Sequence, residues 1–581
     1  EIMPSLVGSE MCIRDRNHIM RKSFYHILLL GALTLGTTSS CDDYLEVDHY
    51  DILPEDFMYR NEANIKSGLY GIYDTFYTYQ GSDNSGDDTT WGFKPNVFIA
   101  GHSTMDCQAS GWDAEWQRHA VLANKGSLDT AWRMSYKGID RANRFLAGLQ
   151  NVDVSVLSAE KKVQFEAEAR AIRAYNYLYL SKVFGPVPML LTGETYTTSA
   201  GKARPENLEG TYQVIEEDLK FAMEKLDWEP ADGEYGRITK GFCKAFLAEL
   251  YMYQKKFTEA KKELNDIITS NTYALEPCYA NLHAWDNHWT KESIFEVAYH
   301  IHGNMNWGGN SHDDGKIWYG YMCAAPEYGG WGSLALSWEY YRSFEQGDKR
   351  KEYTCVGTGD VHPITNEKLG TNPSYSGYVQ GSENVPCVYS LKYWRKQPGK
   401  DGFVYCPISL TFKRYAGVLL DYAECCFETG EEATGWEMIR QVRNRAWGNL
   451  EIGVQAIDFP QAMLNTTVVD VPDAKTVYAE YKTRKGYTSD VWKVALTQER
   501  RHELNAEFSL YFDLCRMGLA EEWFRCEYPK TKANSTPEEC WETGDSFRYF
   551  EHQKYQEIFP IPTNEILNNP LINSEDQNEG Y

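Results

Sequence analysis

Apolar residues in this chain recur mostly at three- and four-residue steps, the spacing that turns one face of a helix towards a core. Phe165, Ala169, Ile172, Tyr175, Tyr179 and Val183 keep that spacing until Gly185-Pro186 ends the helix, since proline lacks a backbone donor and pushes the residue before it out of helical geometry. Tyr212, Leu219 and Leu226 predict a second helix. A third and a fourth, Thr239 to Tyr253 and Thr258 to Thr269, are joined by Gln254 to Phe257 and predict a helical hairpin. Inside it Leu247, Ala248 and Tyr251 are followed by Ala260 and Leu264, the placement by which small residues in a tetratricopeptide hairpin let its two helices meet. Another pair is expected over Leu410 to Phe427 and Thr434 to Arg445, with Ala423 in the small position and Ile439 and Val442 on the returning helix. Helix pairs repeated in this way predict a mainly α fold, with tetratricopeptide-type pairs forming a superhelical scaffold.

Two stretches break the rhythm. Residues 80–118 and 277–407 are rich in Gly, Asn, Asp, Trp and Tyr with little periodicity, which predicts long loops and short strands packed on the scaffold, where binding residues tend to lie. The chain is also unusually aromatic, with 14% Phe, Trp and Tyr, including 17 Trp and 41 Tyr. Rings in helical patterns are expected to fill the core, whereas rings in loops can stack on the flat C–H faces of sugars while polar neighbours bind hydroxyls. Candidate ligand contacts are therefore Trp91, Phe93, Asp106, Trp112 and Trp116 in the first stretch, and Trp307, Asn310, Trp318, Tyr319, Tyr321, Tyr328 and Trp331 in the second.

Near the start, Met20-Arg21-Lys22 precedes an apolar run from about Phe24 to Gly36, then Thr37 to Ser40, Cys41 and Asp42-Asp43. This reads as a lipoprotein signal over 20–40, too short to cross a bilayer, with Cys41 as the acylated residue that tethers an exported domain. Residues 1–19 read as non-native upstream sequence and stand outside the fold reasoning.

Charge and motifs narrow the chemistry. A formal net charge of −25 with no basic run argues against nucleic acid, which needs clustered Lys and Arg. His502-Glu503 lacks the second histidine of a zinc-protease helix, and no Walker loop, dinucleotide fingerprint or G-x-S-x-G elbow is present. Asp83-Asn84-Ser85-Gly86-Asp87-Asp88 offers oxygen ligands but not the full twelve-residue calcium pattern. Apart from Cys12 and Cys41, the cysteines form no C-x-x-C pair and no zinc spacing, so neither a metal nor a disulfide pairing is assigned. A helical-barrel glycoside hydrolase would fit the acidity and aromatics, but its two carboxylates cannot be singled out among 83 acidic residues.

Several segments resemble the SusD/RagB family. They are Cys41-Asp42-Asp43-Tyr44-Leu45-Glu46; FEAEARAIRAYNYLYLSKVFGPVPML over Phe165 to Leu190; Gly236-Arg237-Ile238-Thr239-Lys240-Gly241; and Leu419-Leu420-Asp421-Tyr422-Ala423-Glu424 with Val442-Arg443-Asn444-Arg445-Ala446. The strongest are ERRHELNAEFSLYFDLCRMG over Glu499 to Gly518, Phe559-Pro560-Ile561-Pro562, and the ending Gln577-Asn578-x-Gly580-Tyr581. The resemblance implies a lipidated tether over 41–50 and one binding domain over 51–581, on the outer surface of the outer membrane. It further implies capture of a nutrient, an oligosaccharide by this reading or a peptide as in some members, and delivery to a SusC-type TonB-dependent transporter, without catalysis or cofactor. Arg170, Arg173, Glu499, Arg500 and Arg516 lie beside apolar residues on helices and are expected to pair between helices.

Overall fold

A computed structural model describes residues 55–76, 97–108, 114–117, 119–194, 201–285, 287–298, 319–330, 332, 334–370, 387–395, 408–459, 465–528 and 552–581. The chain divides into a unit ending at Met58, whose described part is one helical turn at Glu55–Met58, and a unit from Tyr59 to Tyr581. All that follows concerns the second unit.

Helix α1 (Glu62–Tyr73) packs on α2 (Gly126–Gln150) and α3 (Ala159–Phe184). From α2 onward each helix packs on the next, through α4 (Glu209–Lys225) and α5 (Lys240–Tyr253) to α6 (Phe257–Thr269). Helix α6 then packs on α7 (Tyr415–Glu428), although residues 270–414 lie between them in sequence, and α7 packs on α8 (Glu432–Ala446). This is the expected helical scaffold. Ala245, Ala248, Ala260 and Ala423 are fully buried, so no long side chain holds the paired helices apart. On α8, a Cβ at Gly435 would fall 2.8 Å from the Phe427 ring. Across the α5/α6 hairpin the Lys244 amine reaches Glu263 at 2.6 Å and Asp266 at 2.8 Å. Between α3 and α4 the Arg173 guanidinium grips both oxygens of Asp218, at 2.8 and 2.9 Å, a two-pronged geometry that fixes the helices in register.

One expectation fails. The helix read from Leu410 starts only at Tyr415, because Ser409–Arg414 is a strand, β6, paired antiparallel with β2 (Ser293–Ala298). Ile408, Leu410 and Phe412 alternate with polar residues, the period of a strand, and this pairing carries Phe412 into an aromatic cluster. Its ring centre lies 5.3 Å from that of Phe295, 5.4 Å from Phe76 and 5.7 Å from Tyr175, with Phe242 and Phe246 behind. Much of the aromatic content is thus core, each edge-to-face pair adding about 0.5–1.5 kcal/mol beyond area burial.

Helix α9 (Ala474–Lys485) packs on α10 (Val491–Glu503), which also meets α7. Glu499, Arg500, Arg501 and Glu503 of α10 are all at most 1% exposed. Arg350 lies 2.9 Å from Glu499 and 3.3 Å from Glu503, and Arg443 of α8 lies 2.7 Å from Glu499. At the end of β6, Arg414 joins Glu292, Glu503 and Glu507 at 2.5–2.9 Å, while Arg445 also holds Glu503. Buried charges of this kind are tolerated only when every partner is present. Arg500 and Arg516, on α10 and α11 (Leu510–Arg516), share Glu424 of α7. Arg173, Glu499, Arg500 and Arg516 are therefore inter-element contacts, and Arg170 pairs with Glu166 and Asp218.

The last described segment locks onto α3. The Phe559 amide donates to Val183 at 2.8 Å, Asn578 donates to the Phe184 and Phe559 carbonyls, and Gln577 exchanges two hydrogen bonds with Ile561. The adjacent Cys425 and Cys426 are both buried. No described helix is long and apolar enough to cross a membrane.

Candidate functional site

The two loop-rich stretches meet on one small sheet. Strand β1 (Cys107–Gln108), from the first stretch, pairs antiparallel with β3 (Ala335–Leu336), from the second, in the register Cys107 to Leu336 and Gln108 to Ala335. Strand β3 also pairs with β5 (Val388–Ser390), which pairs with the edge strand β4 (Cys355–Gly357). The sheet thus gathers segments that are far apart in sequence.

Asp106 sets that junction. Its carbonyl accepts from the Ser337 amide at 2.8 Å, just beyond β3. Its carboxylate accepts from Arg501 at 2.6–3.1 Å and from the Tyr528 hydroxyl at 2.6 Å. Burial raises the Asp106 carboxyl above the ordinary range, against the lowering pull of Arg501. Asp106 is 1% exposed, as is Trp116, whose ring lies against Phe559 with centres 5.8 Å apart. Both expectations of a ligand contact are corrected here: these side chains face the interior, where a sugar in solvent does not reach them.

Tyr328 stands differently. It ends a short turn at Pro326–Tyr328, followed by Gly329 at φ +84°, a left-handed position that favours glycine. The half-buried ring packs 5.3 Å from the fully buried Trp394 and 5.8 Å from His362, and its hydroxyl donates to Glu367 at 3.1 Å. Burial lowers the His362 ring to about 4, so it is neutral at neutral pH, and its Nδ1 accepts from the Ile364 and Thr365 amides to shape the turn below. Along the β4 edge an open groove of about 1240 Å³ is bordered by Tyr341, Lys351, Asp360 and Trp447. The Tyr341 hydroxyl donates to Asp360 at 2.8 Å, and the Lys351 amine lies 3.8 Å from the centre of that ring. These groove residues escaped the sequence reading, although Tyr341 and Asp360 lie inside the second loop-rich stretch.

Of the remaining candidates, Tyr319 and Tyr321 lie on the short helix Tyr319–Cys323, and of these two residues only the backbone is described. Trp91, Phe93, Trp112, Trp307, Asn310, Trp318 and Trp331 fall outside the described residues, as do Cys41 and the acidic loop 83–88. Among the described residues no His, Cys, Asp and Glu cluster could hold a metal ion.

Residues 291–581 match the profile described as the SusD family, and residues 43–252 match a related one described as starch-binding, associating with outer membrane. The chain belongs to the SusD family. Among its relatives, SusD-like protein P2 of Formosa agariphila is 25% identical over 517 residues, 84% of this chain and 90% of that one. SusD-like protein P25 of the same organism is 20% identical over 93% of this chain and 97% of its own length. The fold matches a SusD-like carbohydrate-binding protein from Bacteroides fragilis, with TM-score 0.66, 22% identity and coverage of 89% and 99% of the two chains. Surface glycan-binding protein A from Bacteroides fluxus gives TM-score 0.64 at 21% identity, covering 90% and 100%. A laminarin-binding SusD-like protein gives 0.63 at 23% identity with the same coverage. These SusD-like relatives are named as binding proteins.

Proposed function

We propose that this SusD-family protein captures an extracellular oligosaccharide on the face built around the β1-β3-β5-β4 sheet and passes it to a SusC-type TonB-dependent transporter. The observation that supports this reading is the pairing of β1, from the first loop-rich stretch, with β3, from the second, in a family whose related profile is described as starch-binding. Tyr328, with Tyr319, Tyr321, Trp331, Trp318, Trp307 and Asn310 from the second stretch and Trp91, Phe93 and Trp112 from the first, supplies the rings and amide that contact sugar. Stacking on C–H faces gives affinity, and neighbouring Asn and acidic side chains select among hydroxyl patterns.

Binding without turnover belongs to the same reading, because glycoside hydrolysis needs two carboxylates facing across the scissile bond. Acylation of Cys41 would hold the domain at the outer face of the outer membrane. The test is a panel of polysaccharides, laminarin included, titrated into soluble protein beginning after Cys41, with product analysis. Capture of one glycan recovered chemically unchanged supports the proposal. Hydrolysis abolished by changing one carboxylate favours a helical-barrel glycoside hydrolase, and capture of peptides alone redirects the site to peptide uptake. Co-purification of the full chain with a SusC-type barrel from detergent-solubilised membranes tests the delivery step.

A further inference from the structure

A second aromatic cleft lies on the helical scaffold, and it shares no lining residue with the sheet face or its groove. It opens between the turn that joins α4 to α5, the turn after α6 and the entry to β2, with a volume of about 220 Å³. Trp228, Tyr235, Tyr273 and Trp289 line it, and Thr272 and Thr290 add hydroxyl-bearing side chains. Tyr235 is 65% exposed, and its ring stacks on that of Trp289 with centres 6.0 Å apart and planes 27° apart.

Two features mark Trp289 as held in place rather than merely filling space. Its backbone sits at φ +49°, in the left-handed region that a bulky residue rarely occupies, and strain of this kind clusters at ligand clamps. That conformation is fixed from behind: its amide donates to Glu296, whose carboxylate also accepts from Ser409 Oγ at 2.7 Å, and Ser409 bonds His288 at 2.7 Å. Across the cleft Gly236 sits at φ +90°, a left-handed conformation that favours glycine, with the Trp289 indole in contact distance of where a Cβ would lie. That buried Nε1 has no hydrogen-bond partner among the described residues, which leaves a donor unmet by the chain. Drug-sized ligands occupy about 300–1,000 Å³, so this cleft has room for one ring and not for an extended chain.

We infer that this cleft is a separate site for a single pyranose ring, stacked on Tyr235 and Trp289, which gives the protein a second hold on a glycan. The inference rests on the reading of the protein as a glycan binder. The second hold would act by raising the effective concentration of a long chain at the sheet face.

The test uses the soluble full domain labelled with 5-fluorotryptophan and a set of methyl pyranosides of gluco, galacto, manno and xylo configuration. The Trp289 fluorine line is assigned from Trp289→Phe. Should that variant fail to fold, the line displaced by Tyr235→Ala, an exposed substitution beside the indole, identifies it. At least one methyl pyranoside should shift the Trp289 line, and Tyr235→Ala should weaken that binding about tenfold while leaving single-site affinity at the sheet face unchanged. A Trp289 line unmoved by all four glycosides, in a protein that captures a polysaccharide, overturns this inference and leaves the proposed function standing. Capture of no glycan in any assay overturns both. A moving Trp289 line with binding lost only in Tyr235→Ala keeps the cleft and overturns the sheet face.

Discussion

Arg501→Met should expose how far the sheet face depends on charge buried deep beneath it. Arg501 is fully buried, gives two-pronged hydrogen bonds to Asp106, and lies 3.3 Å from Glu527. Its loss strands the Asp106 carboxylate and removes one of the cations beside Glu527, and breaking a buried pair from one side costs about 3–5 kcal/mol. Glu527 keeps Lys485 at 3.3 Å and the hydroxyls of Tyr481 and Tyr487 at 2.8 and 2.7 Å, so the lower end, about 3 kcal/mol, applies. That is a large share of the roughly 5–15 kcal/mol that stabilises a folded domain. Urea unfolding followed by tryptophan fluorescence reads the loss. Asp106 also fixes the β1 to β3 register, so glycan affinity should fall with stability. Adding Asp106→Asn removes the stranded charge and should restore about 1 kcal/mol or more. A single variant within about 1 kcal/mol of the parent, or further destabilisation by Asp106→Asn in that background, would refute the reasoning.

Acid should unfold the protein through α10. Burial would raise the Glu503 carboxyl, but Arg445, Arg414 and Arg350 overcome it and hold the group at about 2, below its ordinary 4.5. A depressed carboxylate contributes stability that is full above its unfolded value and lost as pH falls, here between about pH 4.5 and 2, worth about 3 kcal/mol. Glu503→Gln should flatten stability against pH across that window. Trp116→Ala should cost about 3–5 kcal/mol of stability through the cavity it leaves, read by calorimetry, whereas Tyr328→Ala should lower glycan affinity with a smaller loss of stability, its ring being only half-buried. Gly185→Ala, at φ +71° and ψ −141°, should cost about 1–3 kcal/mol because side-chain-bearing residues avoid that region. Cys41→Ala should move the protein out of the membrane fraction with its fold intact, measured by fractionation and circular dichroism.

The helical scaffold was legible because its signal is local. Ala248, Ala260 and Ala423 mark close helix contacts, and the spacing from Phe165 to Val183 marks α3 without reference to anything distant. The strand β6 reads as helix when its segment is joined to the next, because no Gly or Pro separates Leu410 and Phe412 from the helical pattern that begins at Tyr415, although their two-residue spacing is that of a strand. Helix α2 went unnoticed although Leu128, Trp132, Tyr136, Ile139 and Leu146 carry the helical spacing. At the site the stretches were found but not their members' roles. Asp106 looked like a loop carboxylate, yet its partner Arg501 stands 395 positions away, a pairing that no local pattern encodes.

The most direct test of the central claim is isothermal titration of the captured glycan against the parent protein and the Tyr328→Ala, Trp331→Ala double variant. Loss of an important binding aromatic costs about 2 kcal/mol or more, so the affinity should fall at least about thirtyfold while circular dichroism shows the fold retained. Equal affinity in the two proteins would contradict the account, because the glycan would then be held somewhere other than the face where the two loop-rich stretches meet.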